Sequence, residues 1–176
     1  MSAHIRLLKP LYERILADLQ RPHPFASERV GFLFARMGSG ANDTHLIFPL
    51  DYVPVPDDQY LPTTDFKIGA EISSEAIRDT MQRVMNTGEG AFHAHLHEHL
   101  GRPRFSRVDM KDLPLLVRSF QHACPEASHG GFLISEDDCM AAVWLPRQRD
   151  PITAEKITIV GYPLRFHGGE RYVGRR

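Results

Sequence analysis

Apolar positions recur at helical spacing in three places along the chain, with alternating or continuous apolar runs between them. Leu8, Leu11, Tyr12, Ile15, Leu16 and Leu19 follow the i, i+3, i+4, i+7 pattern of an amphipathic helix over roughly residues 6–20, stopped by Arg21-Pro22-His23-Pro24. Val30 to Arg36 is a compact apolar run that reads as a buried strand. The turn-rich Met37 to Asp43 predicts a hairpin whose second strand is Thr44 to Leu50. Pro54, Pro56, Asp57, Asp58 and Pro62 mark a loop or irregular edge. A second helix is expected over Glu71 to Met85, capped by Ser73 or Ser74 and ended by Asn86-Thr87-Gly88. Ile77, Met81, Val84 and Met85 form its apolar face. A strand from Gly90 follows at once. Leu113, Leu116, Val117 and Phe120 then predict a third helix with Pro114 in its first turn. Gly131 to Ser135, Cys139 to Leu145 and Ile157 to Phe166 read as strands, and Gly168 to Arg176 as a polar, mobile tail. The pattern describes one α/β domain with a mixed sheet and three helices.

Composition narrows the possible functions. The 176 residues suffice for a single core, and 21 basic residues nearly balance 22 acidic ones, which argues against a dedicated nucleic-acid binder. No apolar run reaches the length of a membrane span, and the first residues do not read as a signal peptide. Cys124 and Cys139 are too few for a disulfide framework, so a reduced, cytoplasmic protein is the expectation. Cys139 reads as a small buried hydrophobe and Trp144 as core packing. Ten histidines are the compositional anomaly, because four of them fall at alternate positions between His93 and His99. His122, His129 and His167 are expected on the surface.

Alternate residues of a strand share a face, so His93 and His95 project together, and His97 and His99 would join them if the strand continued. Neighbouring imidazoles with a carboxylate a short loop later suit a nitrogen/oxygen metal site of the zinc type. The bland alternatives are a solvated strand face or incidental metal affinity. Ser106-Arg107-Val108-Asp109 also has two readings: a helix cap, or a cap whose carboxylate reaches a metal. Two histidines and one aspartate leave a position open for water, which is the catalytic rather than the structural arrangement. Glu28, leading into a buried strand, is a candidate for moving the proton of that water.

These elements resemble the JAMM (JAB1/MPN/Mov34) metalloproteases. Glu28-Arg-Val-Gly-Phe-Leu-Phe looks like the family's Glu-x-x-Gly strand. Gly90-Ala-Phe-His-Ala-His resembles its histidine strand, with Ala91 replacing an aromatic residue, and Phe105-Ser-Arg-Val-Asp matches its Ser-x-x-Asp. The resemblance covers roughly residues 5–145 and implies a single JAB/MPN-like α/β domain with a mixed, curved sheet flanked by about three helices. Its expected core is about residues 5–166, with 167–176 as a tail. It also implies one Zn2+ per chain held by His93, His95 and Asp109, with Glu28 as general base and Ser106 as donor to the oxyanion. The chain departs from the family in spacing. The family has seven residues between the second histidine and the serine, whereas ten separate His95 from Ser106, eight separate His97 and six separate His99. The register of Gly90-Ala-Phe-His favours the pair His93/His95. The pair His95/His97 needs only one inserted residue and stays open. The added segment Leu96 to Pro103 reads either as a wall of the substrate groove or as a longer solvent loop.

By the same resemblance, the expected activity is zinc-dependent cleavage after the C-terminal tail of a ubiquitin-like protein. A bacterial conjugation system with E1- and E2-like enzymes, including those acting against phage, is the expected setting. A glycine tail would lie along a sheet edge and add backbone hydrogen bonds. Release of a product from a sulfur-carrier protein, or a non-catalytic MPN scaffold, are the alternatives. Neither a nucleic-acid partner nor a membrane is expected.

Overall fold

The computed structural model describes residues 2–22, 26–62 and 69–168. The helix stop at His23-Pro24 and residues 169–176 of the expected tail lie outside the described residues, whereas His167 and Gly168 of that expected tail belong to the last strand, paired with Ile157 and Lys156. The elements run β1 (Ser2–Leu8), α1 (Lys9–Leu19), β2 (Val30–Ser39), β3 (Thr44–Pro54), α2 (Ser74–Thr87), β4 (Gly90–Leu96), α3 (Arg107–Ala123), β5 (His129–Ile134), β6 (Cys139–Trp144), β7 (Ile152–Thr153), β8 (Lys156–Val160) and β9 (Arg165–Gly168). The strands form one mixed sheet of order β7-β6-β5-β4-β2-β3-β1-β8-β9. It is the expected single α/β domain with three helices and a mixed, curled sheet.

The curl brings the two ends of the sheet together. The Ala154 amide donates to Ala141 O at 2.9 Å, and the next amide, Glu155, donates to Ala3 O at 2.9 Å. Tyr12, Ile15 and Leu19 of α1 pack on one face of the sheet, in a core with Leu33, Phe92, Phe132, Val143 and Ile157. On the other face, α2 and α3 cover Phe32, Phe34, Ala91 and Trp144 through Val84, Phe120, Leu113 and Val117. Burial of these side chains, each contributing about 1.5–3 kcal/mol, dominates the stability of the fold.

Four sequence expectations change. Residues 2–8 form a strand, so α1 starts at Lys9 with proline in its first turn. Ala3, Ile5 and Leu7 face the core, and their period of two was hidden by its overlap with the helical pattern that follows. Met85 does not belong to the buried face of α2 and is exposed. Pro114 lies inside α3 because the helix begins at Arg107, two turns earlier than the apolar pattern indicates. The expected last strand is two antiparallel strands, β8 and β9, separated by a turn over 161–164.

Candidate metal centre

β4 is central, antiparallel to β2 and parallel to β5. His93 is paired with Phe32 and His95 with Val30, so both imidazoles lie on the face that α2 and α3 cover. The strand ladder continues for one more step, because the His97 amide donates to Ile134 O at 2.9 Å. His97 therefore keeps the alternation. The His99 amide then turns back onto His97 O at 2.8 Å, and this turn takes His99 out to solvent. Extending the β2–β4 register by two residues sets Glu28 opposite His97. Glu28 is held there by its neighbours. Arg29 is buried, ion-pairs Asp57 at 2.7 Å and donates to the carbonyls of Arg21 and Pro22. The Gly69 carbonyl accepts from the Ser27 amide, the Glu28 amide and the Ser27 hydroxyl, at 2.9, 3.2 and 2.8 Å.

The fourth residue comes from the start of α3. Ser106 and Asp109 form a reciprocal capping box: the Ser106 amide donates to Asp109 Oδ2 at 2.7 Å, and the Asp109 amide to Ser106 Oγ at 3.1 Å. The cap does not use up the carboxylate. Asp109 Oδ1 lies 3.3 Å from His95 Nε2, and Oδ2 lies 3.8 Å from His97 Nε2. One residue thus both caps the helix and faces two imidazoles. Ser106 Oγ accepts in the cap, so its proton is still available to donate into the cavity.

Ligand atoms of Glu28, His95 and His97 all lie within 4.8 Å of one another. Among the described residues, the convergent set is Glu28, His95 and His97, with Asp109 touching both imidazoles. His93 is on the same strand face, 5.2 Å from His95 between ring centroids, but it is not in that set. It packs edge-on to Phe32 instead. Glu28, all three histidines, Ser106 and Asp109 line one cavity of about 350 Å³, together with Gly69, Ala70, Leu96 and Glu98. The inserted loop therefore forms part of the cavity wall through Leu96, His97 and Glu98. β4 is paired on both sides, so an extended peptide cannot add to the strand that carries the histidines. The expected sheet-edge docking has no free edge beside this strand.

The electrostatics favour a cation. Both ring nitrogens of His95 are buried without a hydrogen-bond partner, since the approach to Asp109 is close but not aligned as a hydrogen bond. Such orphaned nitrogens beside a carboxylate are what a metal ion satisfies. Burial, aided by the charge of His95, pushes His93 down to about 3. Burial also lowers His97, again with the charge of His95 adding to it. Neutral imidazoles are the form that ligates. Burial acts to raise the Asp109 carboxyl, but the His95 ring and the Ser106 hydrogen bonds outweigh it and hold Asp109 well below the usual carboxylate range. Glu28 is pushed up by burial and by the charge of Asp109, against the opposing effect of His95. Two carboxylates in one cavity are thus driven apart, one suited to bind a cation and one to carry a proton.

Two of the remaining histidines are not at the surface. His129 is fully buried: the Ala91 amide donates to its Nδ1 at 3.1 Å, and its Nε2 donates to Cys124 O at 2.8 Å. It therefore braces β4 near its start. His167 is largely covered and pairs with Asp138. Sequence reasoning also missed Gly69, which carries no functional group and no local signal of its position. A scan against protein-family models finds no match for the chain, and a search of curated proteins finds no significant relative. No described helix is long and apolar enough to cross a membrane.

Proposed function

We propose that the protein is a zinc-dependent isopeptidase or peptidase that cleaves after the C-terminal tail of a ubiquitin-like protein. The observation that carries this reading is the convergence of Glu28, His95, His97 and Asp109 on one cavity. We assign His95, His97 and Asp109 as zinc ligands in preference to His93 and His95. The support is that Asp109 approaches the first pair and that His95 has no other partner. Zinc bound there would supply Lewis acidity, polarising the scissile carbonyl and acidifying a water.

The chain's own groups do the rest. Glu28, with its raised proton affinity, accepts the proton of the attacking water as the new carbon–oxygen bond forms. It then delivers that proton to the leaving amine as the carbon–nitrogen bond breaks. Ser106 donates its hydroxyl hydrogen to the developing oxyanion, in an orientation fixed by the capping box. His93 lines the cavity wall beside His95 and packs edge-on to Phe32. The setting we infer is cytoplasmic, with a conjugating system of E1- and E2-like partners supplying the substrate. The deciding experiment is cleavage of ubiquitin-like fusions by zinc-loaded protein and by Glu28→Gln. The variant should retain zinc and lose hydrolysis. Full activity in Glu28→Gln refutes the mechanism, and no cleavage of any fusion by the parent protein points to a non-catalytic scaffold.

A further inference from the structure

A second cluster of metal-ligating side chains lies where the two ends of the curled sheet meet. Asp138 immediately precedes β6, Cys139 opens it, and His167 is on β9, at the far end of the strand order. Donor atoms of these three residues lie within 4.8 Å of one another. Cys139 belongs to the core on the α1 face of the sheet, opposite the face that carries His95. The two clusters therefore share no residue and no cavity.

The hydrogen bonds set the roles of the donors. Asp138 Oδ1 accepts from the Cys139 amide at 2.7 Å and pairs with His167 Nδ1 at 2.6 Å. The 2.6 Å approach of Asp138 Oδ1 to His167 Nδ1 brings a carboxylate oxygen and an imidazole nitrogen to one point, where an ion between them would take a lone pair from each. Beside them is the Cys139 sulfur, whose proton a metal ion would displace on binding.

The geometry points to a structural metal site in which Asp138, Cys139 and His167 hold a divalent ion of the zinc class, tying β9 to β6. Sulfur, imidazole and carboxylate together favour zinc over calcium or magnesium. The fourth position would be filled from the adjoining shallow cavity, whose wall includes Glu155 and Asp137. The tie also bears on the loop before α3. Asp137 Oδ1 accepts from the Gly101 amide at 2.7 Å, and the Arg102 guanidinium donates to Gly168 O. An ion here would thus hold the 97–105 loop from its outer side while the histidine site holds it from within.

Cobalt(II) titration of the full chain tests this. The histidine site offers only nitrogen and oxygen donors, so a near-ultraviolet thiolate-to-cobalt charge-transfer band reports the second site alone. At saturation the band intensity should correspond to one thiolate-bound cobalt per chain in both the parent protein and Asp109→Ala. It should persist in Cys124→Ser and vanish in both Cys139→Ser and His167→Ala. Absence of the band in the parent protein overturns the proposal. So does a band removed by Cys124→Ser, or one that survives His167→Ala. The His167 change lies in an edge strand, so it decides the matter even if Cys139→Ser fails to fold.

Discussion

Gly69 is the residue whose replacement tests the placement of Glu28 most sharply. A Cβ built on Gly69 would lie 1.3 Å from Glu28 Oε1, 2.3 Å from Cδ and 2.9 Å from Cγ. Ordinary contact begins near 3.4 Å, so Gly69→Ala must drive the carboxylate oxygen away by about 2 Å. The displaced atoms are the free end of a flexible side chain, and the Gly69 carbonyl keeps its three donors. The fold should therefore tolerate the change while the base does not. Misplacing a reacting group by even ~1 Å costs about 100-fold, and a general base contributes about 10²–10⁴-fold. We expect kcat on a ubiquitin-like fusion to fall at least ~100-fold, about 2.7 kcal/mol of barrier, with KM little changed. Zinc stoichiometry and thermal midpoint should stay at parent values. Ser27→Ala, which removes only the 2.8 Å hydroxyl contact, should lose little. A Gly69→Ala protein with kcat near that of the parent would show that the Glu28 carboxylate does not work from this position. Loss of zinc together with activity would show that Gly69 supports the ligands instead, and the reasoning would fail.

Metal content separates the histidines: by elemental analysis His97→Ala should lose one zinc per chain, whereas His93→Ala should retain it, and the reverse result would move the site to His93/His95. Ser106→Ala should cost about 1 kcal/mol of stability through the lost cap. It should also reduce kcat about 10²–10³-fold if the hydroxyl serves the oxyanion, which a thermal melt and a steady-state assay read separately. His129 gives a pH signature. Burial lowers it below its unfolded value of about 6.5 despite the opposing Cys124 hydrogen bond, so below that pH the unfolded chain binds the extra proton. The stability held by neutral His129 is complete above pH ~6.5 and is lost as pH falls from there toward its lower folded value. In metal-depleted protein, His129→Gln should therefore flatten the fall in thermal midpoint on that acid side; an unchanged slope refutes it.

Much of this molecule is written locally. Alternation alone puts His93 and His95 on one face, because a strand offers only two faces. Ser106-Arg107-Val108-Asp109 announces a helix start through the reach of its own side chains, and the structure has that cap. The periodicity of α2 and its Gly88 stop were equally legible, the glycine taking the left-handed conformation with φ of 68°. Local patterns failed where two elements abut without a turn residue, as at β1 and α1, where Leu8 passes straight into Lys9. They failed again at Pro114, because the capping box starts α3 before the apolar stripe does.

The face of β4 was in the sequence; the choice among its histidines was not. All three imidazoles share that face, and spacing to Ser106 depends on a loop whose length does not fix its path. Only the sheet register, the extra ladder bond at His97 and the position of α3 bring Asp109 to His95 and His97. Gly69 against Glu28, His129 bracing β4, and Asp138 and Cys139 meeting His167 are of the same kind. Each joins residues at least 28 positions apart, and only the packed chain brings them within reach.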